Sequence, residues 1–482
     1  MQEKPEIKDI QGIIIRGYKN LAAAQFLFLS VQDAVSAKKW LSSMLPAVTG
    51  ADKKDDDRND PGNKIETALQ IAFTFEGMKA IGLDKTILDS FPIELQDGMT
   101  TKHKQQFLGD FAGSDPANWE WGGIQNEQVH IMLMIYSKDT TSIHADVAAY
   151  TNQFASYNIR LIRSLDTNGL VGQKEHFGFR DGISQPTIKG LNRQDDDALE
   201  AGEFILGYKN EYGQYTARPH VPAIADPEKI LLPIPGTHFH DLGMNGTYIV
   251  FRQLKQDVSL FWKYVANATG NADGTVNENA MTKLAACMVG RWPEGTPLVL
   301  SPDAEKQELQ KMSKFDYRHL DPYGTKCPFG SHVRRSNPQN SLDTDNATSI
   351  AISRKHRLLR RGRSYGPPIA PTLKPIDCLN ATKCDDDRGL HFICINADIG
   401  RQFEFVQNGW INNLKFNGLY EERDPLVGNH HDPQNEKMTG TFCVQQDGLR
   451  TRYSDIPEFV QVKGGAYFFM PGLRALQFLA KF

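Results

Sequence analysis

From Glu175 to Gln185 the chain reads EHFGFRDGISQ, with an acid, Asp181, held between two glycines, Gly178 and Gly182. Glycine lacks a Cβ and takes positive φ at little cost, so the backbone here can pass close to a flat ligand and bring the acid with it. The same string also reads as a plain turn in which Asp181 bonds its own backbone. A second stretch, CPFGSHVRRSNPQN over 327–340, places His332 after a Pro and a Gly and ahead of Arg334 and Arg335. A neutral imidazole is a standard ligand of haem iron, and arginines beside it suit haem propionates. A single His is equally at home as a hydrogen-bonded structural residue, and spacing does not prefer His332 over His176, His356 or His391. A third stretch, HRLLRRGRSYGPP over 356–368, is strongly basic and then turns at Gly362 and Gly366. It reads either as a solvated loop or as a cation set over a reacting oxygen.

In this order the three stretches resemble the dye-decolorizing peroxidases. Asp181 matches the distal acid of that family's GxxDG motif, spelled GFRDG here, with Gly178 and Gly182 as its glycines. His332 matches the axial His of the family's CPF–H–R pattern. Arg360 matches the distal Arg of RRGRSYG, with Arg361 as its neighbour should the register shift by one. Leu390 and Phe392, in GLHF, match the apolar pair that lines the distal pocket.

The resemblance implies a peroxidase holding haem b. His332 would ligate the iron with Arg334 beside the cofactor, Asp181 and Arg360 would be the catalytic pair, and hydrogen peroxide and aromatic reducing donors would be the substrates. It leaves two acids, Asp424 and Asp432, as partners for the axial His, and makes Tyr365 the nearest tyrosine that could pass electrons to the site. It also implies an α+β fold of two ferredoxin-like units, with haem between the sheet and helices of the second.

The elements read independently of that resemblance point the same way. Strands are expected at 21–31, 68–75, 129–136 and 159–164, where apolar residues alternate or run continuously. Helices are expected at 33–44, near Met78 and Ile81, and after Asp139. This βαβ–βαβ order is ferredoxin-like. The second half repeats it, with strands at 247–254, 389–396 and 465–470 and helices carrying Phe261 and Trp262, at 280–290, and at 473–479. Ile399, Phe403, Val406 and Trp410 recur at i, i+4, i+7, i+11 and predict a further α-helix. The expected division is 1–240 with the GxxDG motif and 241–482 with most of the haem site.

Composition sets the outer limits. The 482 residues exceed one ordinary core, and a net charge of −4 argues against nucleic acid as a partner. No window is apolar enough to span a membrane. The opening MQEKPEIKDIQG has no basic, apolar or twin-arginine leader, so a cytoplasmic location is expected. Homo-oligomerisation is left open. The six cysteines form no CxxC pair or zinc spacing and are expected to be reduced, although Cys378 and Cys384 are close enough in sequence to bridge. Acidic runs at 55–57, 195–197 and 385–387 read as solvated loops. Two other functions compete: a haem-handling protein on the same fold, and a metal-dependent hydrolase built on those acidic runs.

Overall fold

The computed structural model describes residues 4–54, 64–191, 197–382, 386–431 and 440–482. Its first four long strands are β1 (Ala23–Val31), β2 (Thr67–Phe73), β3 (Ile131–Ser137) and β4 (Ile159–Asp166). They pair antiparallel in the order β4-β1-β3-β2. The later strands are β5 (Thr247–Gln256), β6 (Leu359–Arg360), β7 (Arg363–Tyr365), β8 (Gly389–Asn396) and β9 (Val460–Met470). Here β9 pairs with β5 and β5 with β8, while β6 and β7 share the far edge of β8. Counting β6 and β7 as one interrupted strand, both halves follow the same order, which makes each ferredoxin-like. The halves join into one sheet through a single pair, Phe73 on β2 with Phe469 on β9.

Both faces of this sheet are covered. Helices Ala34–Met44 and Thr140–Phe154 start where Asp33 and Asp139 accept N–H bonds from Ser36 and Ser142, each at 2.7 Å. Trp40 and Leu41 of the first of these helices join Leu27, Leu29, Leu69 and Ile71 in one core. The other faces of the two halves fold onto each other. Phe26 and Phe28 of β1 meet Phe251 of β5 at 5.3 and 5.4 Å, and Phe28 stacks on Trp121 at 4.0 Å.

Successive side chains on a strand point to opposite faces. With Phe251 turned into that shared core, Arg252, Leu254 and Gln256 of β5 face outward, as do Leu390 and Phe392 of β8 and Val460 and Val462 of β9. Helices Val258–Thr269 and Glu278–Val289 pack beside this face through Phe261, Trp262, Met281 and Met288, and a cavity remains there.

The segment expected to be an α-helix around Phe403 is wound more widely. Gly400–Glu404 and Val406–Ile411 are π-helical, with N–H bonds reaching back five residues from Glu404 to Ile399 (2.9 Å) and from Asn412 to Gln407 (3.0 Å). The apolar spacing identifies the buried face correctly but does not distinguish 3.6 from wider winding. π-turns recur at functional sites, and Phe403, Val406, Gln407 and Ile411 all line the cavity.

Candidate active site

The cavity has a volume of ≈ 290 Å³. On one side lies His332, the first residue of the short helix His332–Ser336. Its Nδ1 lies 2.8 Å from Oδ2 of Asp424, a fully buried carboxylate whose Oδ1 accepts the N–H groups of Leu426 and Val427 at 2.9 and 3.0 Å. Burial opposes charge on both partners, yet their mutual attraction and hydrogen bond dominate. His332 is raised above the usual histidine value and Asp424 held below the usual carboxylate value. No hydrogen bond within the described residues engages Nε2, so that ring nitrogen is available to the cavity.

Asp181 and Arg360 line the same cavity, with Arg360 Nη1 donating to Asp181 Oδ1 at 2.9 Å. The Gly182 N–H gives Asp181 Oδ1 a second bond at 2.6 Å. The carboxyl is 40 % exposed, although it sits deep in the chain, because it faces the cavity. Burial pushes its pKa up, but the Arg360 charge, the Gly182 N–H, the Arg360 hydrogen bond and the charge of His332 together hold it below the ordinary value.

Arg360 is positioned by its backbone. It pairs with Cys394 of β8, and its N–H donates to Gln185 Oε1 at 3.0 Å. Arg361 faces away, and its guanidinium donates to the carbonyls of Ile13 at 2.8 Å and Ile14 at 3.0 Å. The one-residue ambiguity across RRGR is therefore resolved geometrically: Arg360 reaches the cavity and Arg361 anchors the N-terminal segment.

Leu390, Phe392 and Gly182 also line the cavity, but Gly178 and Arg334 do not. The expectation for Gly178 is corrected as follows. Its φ is +92°, and a Cβ there would lie 2.5 Å from the Leu373 carbonyl, so protein backbone makes the close approach instead of a ligand. The expectation that Arg334 sits beside the cofactor is also corrected. Its guanidinium bonds Asp321 Oδ2 at 2.8 Å and the Cys327 carbonyl at 2.7 Å, between the rings of Tyr317 and Phe329 at 4.4 Å each. Arg335 is committed in the other direction, to the carbonyls of Trp410 (2.6 Å) and Glu422 (2.7 Å). Together the two arginines clamp the His332 helix from both sides, and Arg335 ties it to the segment that delivers Asp424.

The other histidines serve elsewhere. His176 bonds the Tyr365 carbonyl at 2.7 Å, His356 the Arg401 carbonyl at 2.6 Å and His391 the Asp166 carbonyl at 3.0 Å. Burial pushes His176 and His391 down to about 4, so both stay neutral. Tyr365 is buried against His391, with ring centroids 4.5 Å apart. Asp432 lies outside the described residues, as do 55–57, 195, 196, 385 and Cys384. Cys287, Cys327, Cys378, Cys394 and Cys443 are free and buried. Among the described residues no group of three or more His, Cys, Asp or Glu side chains gathers as a metal site, and no helix is long and apolar enough to cross a membrane.

The cavity also carries cations that the sequence did not single out. Arg291 is 5 % exposed, and its Nη1 bonds the Gly295 and Met312 carbonyls at 2.8 and 2.9 Å while Nη2 has no partner among the described residues. Arg357 has no hydrogen-bond partner for its guanidinium among the described residues, and burial, with the charges of Arg360 and Arg354 beside it, pushes it down to about 10. Arg357 lies in the basic run 354–363 at i−3 from Arg360, a signal that was available; Arg291 had none.

A histidine with a free Nε2 and a buried carboxylate behind it suits ligation of a metal such as haem iron. Unneutralised arginines suit the two propionates of haem, and an apolar wall suits its ring. The residues present therefore fit that group, and with Asp181 and Arg360 in the same cavity the arrangement is that of a haem peroxidase on an α+β sheet.

Comparison with known proteins agrees. Residues 9–168 match the DyP dimeric alpha+beta barrel domain. Peroxidase 2 of Mycetinis scorodonius is 27 % identical over 498 residues, covering 98 % of this chain and 87 % of the relative. The multifunctional dye peroxidase of an Amycolatopsis species is 28 % identical over 470 residues, covering 94 % and 91 %. Among solved structures, a dye-decolorizing peroxidase in complex with 2,6-dimethoxyphenol is 25 % identical and superposes with a TM-score of 0.76 over 98 % of this chain and 99 % of that one. The fungal DyP-type peroxidase from Auricularia auricula-judae gives 25 % and 0.75 over 99 % and 100 %. Over nearly its whole length the chain is therefore similar to the dye-decolorizing peroxidases, a family of haem peroxidases.

Proposed function

We propose that this chain uses hydrogen peroxide to oxidise dyes, phenols and other aromatic donors in one-electron steps, with haem b as its cofactor. One observation carries the reading: an ion pair of Asp181 and Arg360, at 2.9 Å, opens into the cavity that His332, backed by the buried Asp424, also lines. That a solved relative is a complex with 2,6-dimethoxyphenol supports phenols as one class of donor.

His332 would hold the iron through Nε2, and Asp424 would fix the ring and raise its basicity. Arg291 and Arg357 would receive the propionates. Haem, when bound, supplies the electrons that split the O–O bond and stores the oxidising equivalents that donors then discharge one at a time.

The protein's part is proton handling and charge. Asp181, ionised, takes a proton from hydrogen peroxide and returns it to the departing oxygen, which leaves as water. Arg360 stabilises the negative charge that grows on that oxygen. With haem in place, Leu390 and Phe392 would narrow the space beside Asp181 and Arg360, so bulky donors would give up electrons at the surface.

Purified protein supplied with haem should take up one equivalent, show an intense Soret band and turn over a phenol with peroxide. Asp181→Asn should keep the band and lose most of the peroxide reaction. Failure to take up haem, or an unimpaired Asp181→Asn, would refute the reading.

A further inference from the structure

We propose that Glu175 is a positioning residue for Asp181, its carboxyl group holding the turn that aims the acid into the cavity; this rests on Asp181 acting as described above. Glu175 folds back on its own segment. Its Oε2 accepts the Phe177 N–H at 3.0 Å and the side-chain amide of Gln256 at 2.7 Å, while Oε1 accepts the Phe179 N–H at 2.9 Å. The backbone repeats the tie, with the Glu175 N–H on the Phe179 carbonyl at 2.8 Å and the Gly178 N–H on the Glu175 carbonyl at 2.9 Å. Every main-chain donor from Phe177 to Phe179 thus ends on Glu175. The next two, from Arg180 and Asp181, reach the carbonyls of Pro293 at 2.9 Å and Gln173 at 3.0 Å.

The rings of the turn are buried, Phe177 against Phe261 at 4.7 Å and Phe179 parallel to Trp262 at 6.3 Å. Packing therefore fixes where the turn sits, and the Glu175 hydrogen bonds fix its shape. Through Gln256 that shape is referred to β5, the strand that carries the cavity floor.

The residue type matters. A carboxyl group can accept on both oxygens, whereas a glutamine amide has one acceptor oxygen and presents N–H to the other donor. Whichever way the amide turns, it opposes the N–H of either Phe177 or Phe179. The two carboxyl groups are also pushed in opposite directions. Burial drives Glu175 up to about 7 against its hydrogen bonds, and the charge of Asp181 adds to the rise, while Asp181 is held low. Glu175 can then carry a proton and still serve as the frame while Asp181 keeps its charge.

Haem-loaded Glu175→Gln is expected to retain its Soret band and to react with peroxide ~10–100-fold more slowly, since a misplacement of ~1 Å costs ~10²-fold. In an Asp181→Asn background the same change should alter the rate by less than ~2-fold, because no acid remains to be aimed. A merely structural role would slow both backgrounds alike. Hydrogen exchange of the haem-loaded protein gives a readout free of turnover: at least one of the Phe177 and Phe179 amides should lose protection in Glu175→Gln while those of β5 keep it.

An Asp181→Asn variant that reacts as fast as wild type would refute the role of Asp181 itself. With that variant slow, the positioning proposal is overturned by any of three results. These are wild-type speed in Glu175→Gln, an equal slowing in the Asp181→Asn background, or unchanged protection at Phe177 and Phe179. Should Glu175→Gln fail to fold, Gln256→Leu removes one of the three bonds to the carboxyl group, and the same two kinetic criteria apply with a slowing of ~3–10-fold.

Discussion

Replacing Arg360 with Leu tests the cavity's electrostatics at one residue. The strand should survive, because Arg360 is held by its pairing with Cys394 and by its N–H on Gln185, neither of which uses the guanidinium. Two effects on the peroxide reaction follow. Loss of a preorganised donor at the departing oxygen typically costs ~10²–10³-fold in rate, or ~2.7–4 kcal/mol. The second effect concerns Asp181, where burial works against ionisation and Arg360 is the largest opposing influence. The sign is definite: with Arg360 the acid's pKa lies below the ordinary ~3.9, so wild type keeps its base ionised past pH ~4 and loses it only as pH falls through the lowered value. Without Arg360, burial is left less opposed and the pKa rises. The stopped-flow rate of ferric protein with peroxide, followed against pH, should therefore fall across the whole range and show its acid limb at higher pH. A variant with wild-type rates, or one slowed uniformly with its acid limb unmoved, would refute this account. Arg361→Leu is the control, and it should lower the melting temperature while leaving the rate constant in place, because its guanidinium bonds the carbonyls of Ile13 and Ile14.

His332→Ala should lose haem or hold it loosely, seen as a lost or shifted Soret band; full retention would move the ligand elsewhere. Arg334→Leu should destabilise the fold by ~3–5 kcal/mol, because it leaves Asp321 buried without its partner, and haem loss should follow unfolding in a thermal melt; haem loss from a protein of unchanged stability would restore Arg334 to the cofactor. Gly178→Ala should cost more stability than Gly182→Ala in denaturant titrations. Both positions have positive φ, worth ~1–2 kcal/mol for a non-glycine residue, but only at Gly178 does the new Cβ meet a carbonyl, that of Leu373 at 2.5 Å.

Local pattern carried the strands and helices well, because alternation and capping are local. Asp33 and Asp139 mark their helices in the sequence as they do in the structure. Asp181, His332 and Arg360 came forward through motif resemblance, and the cavity brings them together. Beyond Arg291 and the place of Gly178, two things were not legible. The winding of Gly400–Ile411 was missed because a buried face has nearly the same residue spacing in α and π turns. The assignment of Arg334 to the cofactor failed because adjacency to His332 in sequence says nothing about direction. A five-residue helix turns its third residue well away from its first, and Asp321, thirteen positions earlier, was waiting to bind it.

Facing, more than residue type, separates the working groups from their neighbours. Arg360 and Arg361 have the same chemistry, yet one bonds Asp181 and the other bonds backbone carbonyls of the N-terminal segment. On β8, Leu390 and Phe392 line the cavity while His391, between them, stacks on Tyr365 and is held near-neutral by burial. Had β8 slipped by one residue against β5, a histidine would enter the cavity and both apolar groups would leave it. The register Leu390–Leu254 and Phe392–Arg252 is therefore part of the site's chemistry. It keeps a second imidazole out of the cavity, which on the proposed function would leave Asp181 as the base where a histidine base, with its ordinary pKa near ~6.5, would be protonated and idle in acid.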